Sequence, residues 1–315
     1  MNDWELEGRF EEVNEQIAGI TYEQIGAAPA EEVSKLNKFI TPEMYGAAGD
    51  GVTDDSVAFN QMLADEDKRY YPILLTAKKY GIGSKIIDTL GHTIFSNNSE
   101  LVALDNFSSD YMFEVNIINK DTGKAVREEQ GVFRYYLNMD CSHICNGFNV
   151  FNSIGNKFSL AIKNAKQGFC LDRSIEGNVS YENEFDIRVD SIGRAEDVGI
   201  YIDGHDDYFN NVIVINYKTA IKTRGNSHYK YVHCWLDRNA KVFSEDGSEW
   251  MHCWEDSVCI EDFTDAPGAT IDFLYVDTYK YGIYTPNYPS IHIGKYYSLT
   301  GKEELEAGGV TFTKH

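Results

Sequence analysis

Short apolar runs broken by Asn, Gly and Asp recur along most of this chain. Phe185-Asp-Ile-Arg-Val189 alternates with period two. In an extended strand that spacing puts Phe185, Ile187 and Val189 on one face and Asp186 and Arg188 on the other. Such runs fall into two interleaved series. One begins at Phe158, Phe185, Val212, Tyr231, Trp250, Ile271 and Ile291, at steps of 27, 27, 19, 19, 21 and 20 residues. The other begins at Gly168, Gly199, Ala220, Val242, Val258 and Gly282. Each repeat therefore supplies at least two strands of about five residues, with turn residues at the corners. A repeat of this length predicts a stacked solenoid, whose units bury their apolar faces only against neighbours. A sandwich or jelly roll has no need of it.

The pattern differs at the two ends. Leu6, Phe10, Val13, Ile17 and Ile20 are spaced 4, 3, 4 and 3 residues apart, an a/d heptad seam. The seam is short for a self-sufficient helix. It fits either an amphipathic helix packed on its own domain or a small self-associating coil. A Gly/Ala/Pro break, Tyr22 to Ala30, precedes a second short helix, Glu31 to Asn37. Runs at Ile73–Leu75, Ile86–Ile87, Thr93–Phe95, Leu101–Leu104 and Phe113–Ile118 predict the first strands. The polar stretch 119–135 reads as an excursion, with regular repeats from Ile144. The tail from Ser298 holds a short acidic helix candidate, Lys302 to Ala307, and a last strand candidate, Val310 to Thr313.

Between these lies Met44-Tyr-Gly-Ala-Ala-Gly-Asp-Gly-Val-Thr-Asp-Asp-Ser-Val-Ala-Phe-Asn60. Its glycines permit a tight turn. Thr53 or Asp54 can cap a helix whose first turn Asp55 favours, with Val57, Ala58, Met62 and Leu63 as its apolar face. Such a helix near 54–64 would close the exposed strand edges at one end of a solenoid. Asp50, Asp54 and Asp55 read as turn and cap residues. This stretch resembles the opening signature of the pectate-lyase-like, right-handed β-helix superfamily, in the form carried by phage tailspike, tail-fibre and appendage proteins. Tyr22 to Ala30 also resembles segments of phage tail-fibre proteins. The resemblance implies an all-β, right-handed parallel β-helix with a short N-terminal helical segment. The expected organisation is a helical attachment segment at 1–40, the β-helix at 41–297 and a tail at 298–315. It further implies a virion-associated homotrimer that engages host surface polysaccharide and meets other virion proteins through its N-terminal segment. Two alternatives stay open: a glycan depolymerase on the same scaffold, and a purely structural virion subunit.

Charge narrows the partners. With 28 Lys and Arg against 50 Asp and Glu, the formal net charge is −22. Nucleic-acid binding rests on cationic side chains that neutralise phosphates, so that class is not expected, and anionic membranes are disfavoured for the same reason. With 21 Tyr, 17 Phe and 4 Trp the chain is not a disordered acidic protein. No apolar run reaches the length of a membrane span, and the acidic start Met1-Asn-Asp-Trp-Glu5 lacks the features of a secretory signal. Assembly in a host cytoplasm and residence on the virion are expected. Six cysteines at this length do not outline a disulfide framework. Cys141 and Cys145, with His143 between, read as buried thiols beside a histidine, because no second ligand pair stands at zinc-like spacing. No metal and no cofactor is expected.

Two clusters carry candidate chemistry. The phrase His-Cys-Trp-x-Asp occurs in Tyr231–Asp237 and again in Trp250–Asp256, 19 residues apart. Read as consecutive rungs, the two put Val232, Cys234, Met251 and Cys253 inside. Tyr231, His233, Trp235, Trp250, His252 and Trp254 then face outward, with Asp256 beside them. Such an aromatic tier suits packing under a loop, a subunit interface or a sugar platform, since large exposed aromatic patches seldom face water alone. The second cluster is Asp203-Gly-His-Asp-Asp207. With Glu255, the carboxylates Asp203, Asp206 and Asp207 are the candidate acid, base or nucleophile of a glycan depolymerase. Asp and Gly are also ordinary corner residues, and the polygalacturonase motifs around such a pair are missing here.

Overall fold

The computed structural model describes residues 39–119, 121–125, 132–237, 241–243, 249–252, 257–263, 269–284, 291–298 and 311–312, the segments 241–243, 249–252 and 311–312 by their backbone alone. The N-terminal heptad seam, the helix candidate Glu31–Asn37, the residues Trp254, Glu255 and Asp256 and the tail helix candidate all lie outside the described residues. The chain divides between Ile40 and Thr41, and the second unit, Thr41–His315, is a parallel β-helix.

Two parallel sheets form its walls. The long sheet has 13 strands and the short sheet 9 among the described residues. In the body of the coil the long-sheet strands are Arg134–Asp140, Lys157–Lys163, Glu184–Asp190, Tyr208–Ile215, His228–Trp235, Thr270–Asp277 and His292–Ser298. Their neighbours pair in register, Tyr135 with Phe158, Phe158 with Phe185 and Phe185 with Phe209. The short-sheet strands between them include Asn146–Ile154, Gln167–Asp172, Glu196–Gly204, Tyr217–Gly225 and Val258–Asp262. Many of these begin near a glycine for a packing reason. A Cβ on Gly168 would stand 2.2 Å from Val189 Cγ1 and 2.8 Å from the Gly199 carbonyl, so the wall admits no side chain there.

Period-two alternation fills the coil. Tyr135, Phe158, Phe185, Phe209 and Tyr229 are buried and stack face to face, with successive centroids 4.9, 4.9, 4.7 and 4.8 Å apart. From the opposite wall, Phe148 and Phe169 meet this column edge-on. The spacing is that of the strands themselves, about 4.8 Å, so identical positions in successive coils coincide.

The helix Ser56–Leu63 stands near the start of the coil. Its interior face is Ala58, Phe59, Met62 and Leu63. Val57, expected on that face, is 63% exposed; positions 58, 59, 62 and 63 share one side of a 3.6-residue period, and 57 falls off it. The aspartates before it hold turns. Asp50 Oδ1 accepts from the amides of Val52 and Thr53 at 2.8 and 2.7 Å. Asp54 Oδ1 accepts from the Ser56 and Gly83 amides, and Asp55 from Ala48 and Gly49.

The topology corrects the stacking of the repeats in two places. The strand Arg134–Asp140, not anticipated beyond residue 135, begins at the very end of the 119–135 stretch expected to be an excursion. Tyr135, Leu137 and Met139 point in and Tyr136 and Asn138 out. The second His-Cys-Trp phrase is not a rung. His228–Trp235 pairs directly with Thr270–Asp277, and Tyr217–Gly225 with Val258–Asp262. The runs at 242 and 250, read as one further coil, leave the stack as an antiparallel hairpin, Lys241–Phe243 against Glu249–His252. Each run has found its backbone partner in the other, which removes both from the two walls together. At the far end Thr311–Phe312 pairs in parallel with His292–Ser298 and extends the long sheet by a strand.

Candidate functional site

Alternation that fills the interior also dictates what the outer face of the long sheet displays. In His228–Trp235, Val232 and Cys234 are fully buried, and Tyr231, His233 and Trp235 are half-buried on the outer side. Neighbouring strands continue the display. Tyr231 stacks on Phe273 at 5.4 Å and 7°. His233 stacks on Tyr275 at 4.4 Å and 19°, and Tyr275 meets Tyr297 edge-on at 5.0 Å. Burial holds the His233 imidazole below its ordinary pKa, with Arg188 pushing the same way and Asp277 opposing. His233 is thus a neutral aromatic surface near neutral pH. Its Nε2 has no hydrogen-bond partner among the described residues.

The predicted sites divide. Tyr231, His233 and Trp235 share this face. Trp250 and His252 belong to the hairpin, where their side chains are not described, so the structure does not join the two phrases into one tier. Glu255 lies outside the described residues, and the candidate carboxylates Asp203, Asp206 and Asp207 differ in their surroundings. Asp207 is wholly buried and cannot meet a substrate. Its Oδ1 accepts from the Asn183 amide and Nδ2 at 3.0 and 3.1 Å, and burial raises its pKa to about 6 against this hydrogen bonding. Asp203 is 7% exposed, 3.9 Å from Arg224, with its pKa raised by burial. Asp206 adopts a left-handed corner conformation, φ 58°, and exchanges hydrogen bonds with Asn226. Asp206 and Asp207 thus form the corner between Gly204, where one strand ends, and Tyr208, where the next begins, while Asp203 lies within the first strand in register with Asp172 and Arg224. Cys141 and Cys145 are buried thiols, and His143 Nδ1 sits 2.8 Å from Glu196 Oε1.

A feature not anticipated from the sequence lies further up the same outer face. Between its outward Lys157 and Lys163, the strand Lys157–Lys163 displays Ser159 and Ala161, flanked by Tyr136 and Asn138 on one neighbour and Asp186 and Arg188 on the other. Small side chains between large ones leave a depression of about 260 Å³. Asn211 closes its lower side, turned there by a bulge opposite Phe185 and Asp186. Asn138 Nδ2 donates to Ser96 Oγ and the Ser99 carbonyl at 3.0 and 3.1 Å. The Asp186 pKa is raised by burial and by Glu184, with Lys157 opposing. A second depression of about 320 Å³ adjoins the first across Ser96 and Tyr136. It is walled by Leu74, Leu75, Thr76 and Phe95, and Phe95 stacks on Tyr136 at 5.2 Å and 10°. The signal that could have exposed this region was the alternation in 134–140, whose outward set includes Tyr136 and Asn138. Among the described residues no cluster of three or more His, Cys, Asp or Glu is arranged to hold a metal ion.

No family model and no curated protein matches the chain. Solved structures that resemble it include three from phages. The tailspike of phage phiAB6, in complex with three-repeated oligosaccharides of Acinetobacter baumannii surface polysaccharide, is 16% identical with a TM-score of 0.38, over 89% of this chain and 49% of that one. The N-terminal fragment of bacteriophage phi29 gene product 12 is 12% identical with a TM-score of 0.34, over 85% and 64%. ORF18 of Geobacillus virus E2 is 11% identical with a TM-score of 0.35, over 85% and 63%. The chain thus spans between about half and just under two thirds of those lengths. Its own strand topology is that of a parallel β-helix.

Proposed function

We propose that this chain is a receptor-engaging spike or fibre protein of a bacteriophage particle, and that it holds host surface glycan along the outer face of its long sheet. The observation that carries the reading is the composition of that face. Stacked rings at Tyr231–Phe273 and His233–Tyr275 stand in line with the polar depression at Asn138, Asp186 and Arg188. Flat rings complement the apolar faces of sugars, and side-chain acceptors and donors between them take hydroxyl groups. Seven strands at a spacing of about 4.8 Å make a track of roughly 29 Å, long enough for several sugar units. The surplus of acidic side chains favours neutral over polyanionic polymers. In this reading the segment 1–40 attaches the protein to the particle, and three copies assemble about it.

Binding to a panel of purified bacterial capsule and lipopolysaccharide polymers, followed by surface plasmon resonance, tests the glycan reading. At least one polymer should bind, and Tyr275→Ala should weaken it about tenfold, in line with the loss of one ring contact. Absence of binding across the panel, or binding indifferent to Tyr275→Ala and to the depression, would overturn it. Mass in solution tests the assembly, where a monomer would count against the trimer.

A further inference from the structure

The two adjoining depressions differ in chemistry while sharing a wall. The larger is walled by Leu74, Leu75 and Phe95, with little polar surface. The smaller displays Asn138, Asp186, Arg188 and Asn211. The shared wall is Tyr136 and Ser96. A plain hexose would satisfy the polar chamber and leave the apolar one to water. A purely apolar ligand would strand the polar groups. The arrangement suits a sugar ring that carries an apolar group into the neighbouring chamber.

Asn138 identifies the link between ring and appendage. Its hydrogen bonds leave from Nδ2, to Ser96 Oγ and the Ser99 carbonyl. That fixes the amide plane and leaves Oδ1 as the acceptor Asn138 brings to the polar depression. A donor N–H at the junction, followed by a methyl group, meets this pattern. An acetamido group has both. A 6-deoxy sugar has the methyl without the N–H, and a free amino sugar has the donor without the methyl.

We propose that these paired chambers are a subsite for an N-acetylated amino sugar. The ring lies over Ser159 and Ala161 and hydrogen-bonds Asp186 and Arg188. The acetamido N–H donates to Asn138 Oδ1, and the methyl enters the chamber of Leu74, Leu75 and Phe95. This rests on the glycan reading above and narrows it to a substrate class and a place.

Saturation-transfer NMR on the full chain tests it. The probes are the methyl glycosides of N-acetylglucosamine, N-acetylgalactosamine and N-acetylmannosamine, each beside its unacetylated parent hexose, its free-amine counterpart and methyl fucoside. At least one acetylated probe should bind at least tenfold tighter than its parent, with the strongest saturation at the acetyl methyl. Ala161→Trp, on an outward position, should fill the polar chamber and weaken that probe at least tenfold without lowering Tm. Leu74→Ser should reduce saturation of the methyl selectively. Equal binding of acetylated and parent sugars, preference for fucoside, or binding unchanged in Ala161→Trp would each overturn the subsite. If polymers bind the chain while no acetylated probe does, the subsite fails and the glycan reading stands. If no polymer and no probe binds, both fail.

Discussion

The long sheet carries two aromatic ladders on opposite faces, which overlap in the strand His228–Trp235. Inside, Tyr135, Phe158, Phe185, Phe209 and Tyr229 stack at 4.7–4.9 Å and are fully buried or nearly so. Outside, Tyr231–Phe273 and His233–Tyr275 stack at 5.4 and 4.4 Å with one side left to solvent. Geometry is nearly the same because strand spacing sets both. Their consequences differ because only the inner rings are removed from water on every side. Ring stacking in a parallel β-helix is thus a by-product of register. What a stack is for depends on the face that carries it.

The strongest way to break this contrast is within the inner ladder. Phe185→Ala should cost about 3–5 kcal/mol, since Phe158, Phe169 and Phe209 all lose a packed neighbour. Denaturant unfolding reads this directly. A loss below about 1 kcal/mol would mean the inner ladder is no more structural than the outer one.

Next in size, and opposite in sign, is Asp207. Asn156, Asn183 and Asp207 each stand just before a long-sheet strand, so an aspartate occupies an asparagine position of the repeat. Its Oδ2 and the buried Ser227 Oγ have no partner among the described residues, and both lie near Gly204. The folded pKa, about 6, is raised above the ordinary 3.8. Its contribution is therefore most favourable below about pH 4 and is lost as pH rises through 6. At pH 8 the ionised carboxyl costs on the order of 3 kcal/mol. Asp207→Asn keeps the acceptor for Asn183 and offers an N–H towards Ser227. It should raise stability at pH 8 by up to that amount and flatten the difference between pH 4 and 6. Equal pH profiles for variant and parent would refute the assignment.

A smaller effect is expected from replacing 241–252 with a short Gly-Ser linker. The strands on either side pair without that hairpin, so the loss should stay near 1 kcal/mol. A collapse of the fold would show that the hairpin supports the coil. Smallest of all, Tyr275→Ala on the outer ladder should change stability by less than about 1 kcal/mol while weakening glycan binding. Loss of stability comparable with Phe185→Ala would erase the distinction between the two faces.

Much of this architecture was legible in the chain. The repeat length, the inward set Val232 and Cys234, the turn roles of the aspartates before Ser56 and the helix itself follow from local pattern, although the helix starts one residue later than expected, with Asp55 at its N-cap in place of Thr53 or Asp54 and no side-chain cap. Three things were not. The strand Arg134–Asp140 was hidden beside a polar stretch, and with it Tyr136 and Asn138. The two His-Cys-Trp phrases looked equivalent, yet one pairs in the long sheet and the other within a hairpin. Asp203, Asp206 and Asp207 looked like a carboxylate cluster, and strand ends turned them to different surroundings.

By itself the sequence determined periodicity, and therefore a parallel coil with one face of each strand inside. Alternation is a property of consecutive residues, so no distant contact is needed to read it. Only the tertiary structure decided which run stacks on which, and so where small residues such as Ser159 and Ala161 fall between large ones. A depression is a relation between neighbouring coils more than 20 residues apart in the chain, and local pattern carries no information about the side chain that lands one rung away.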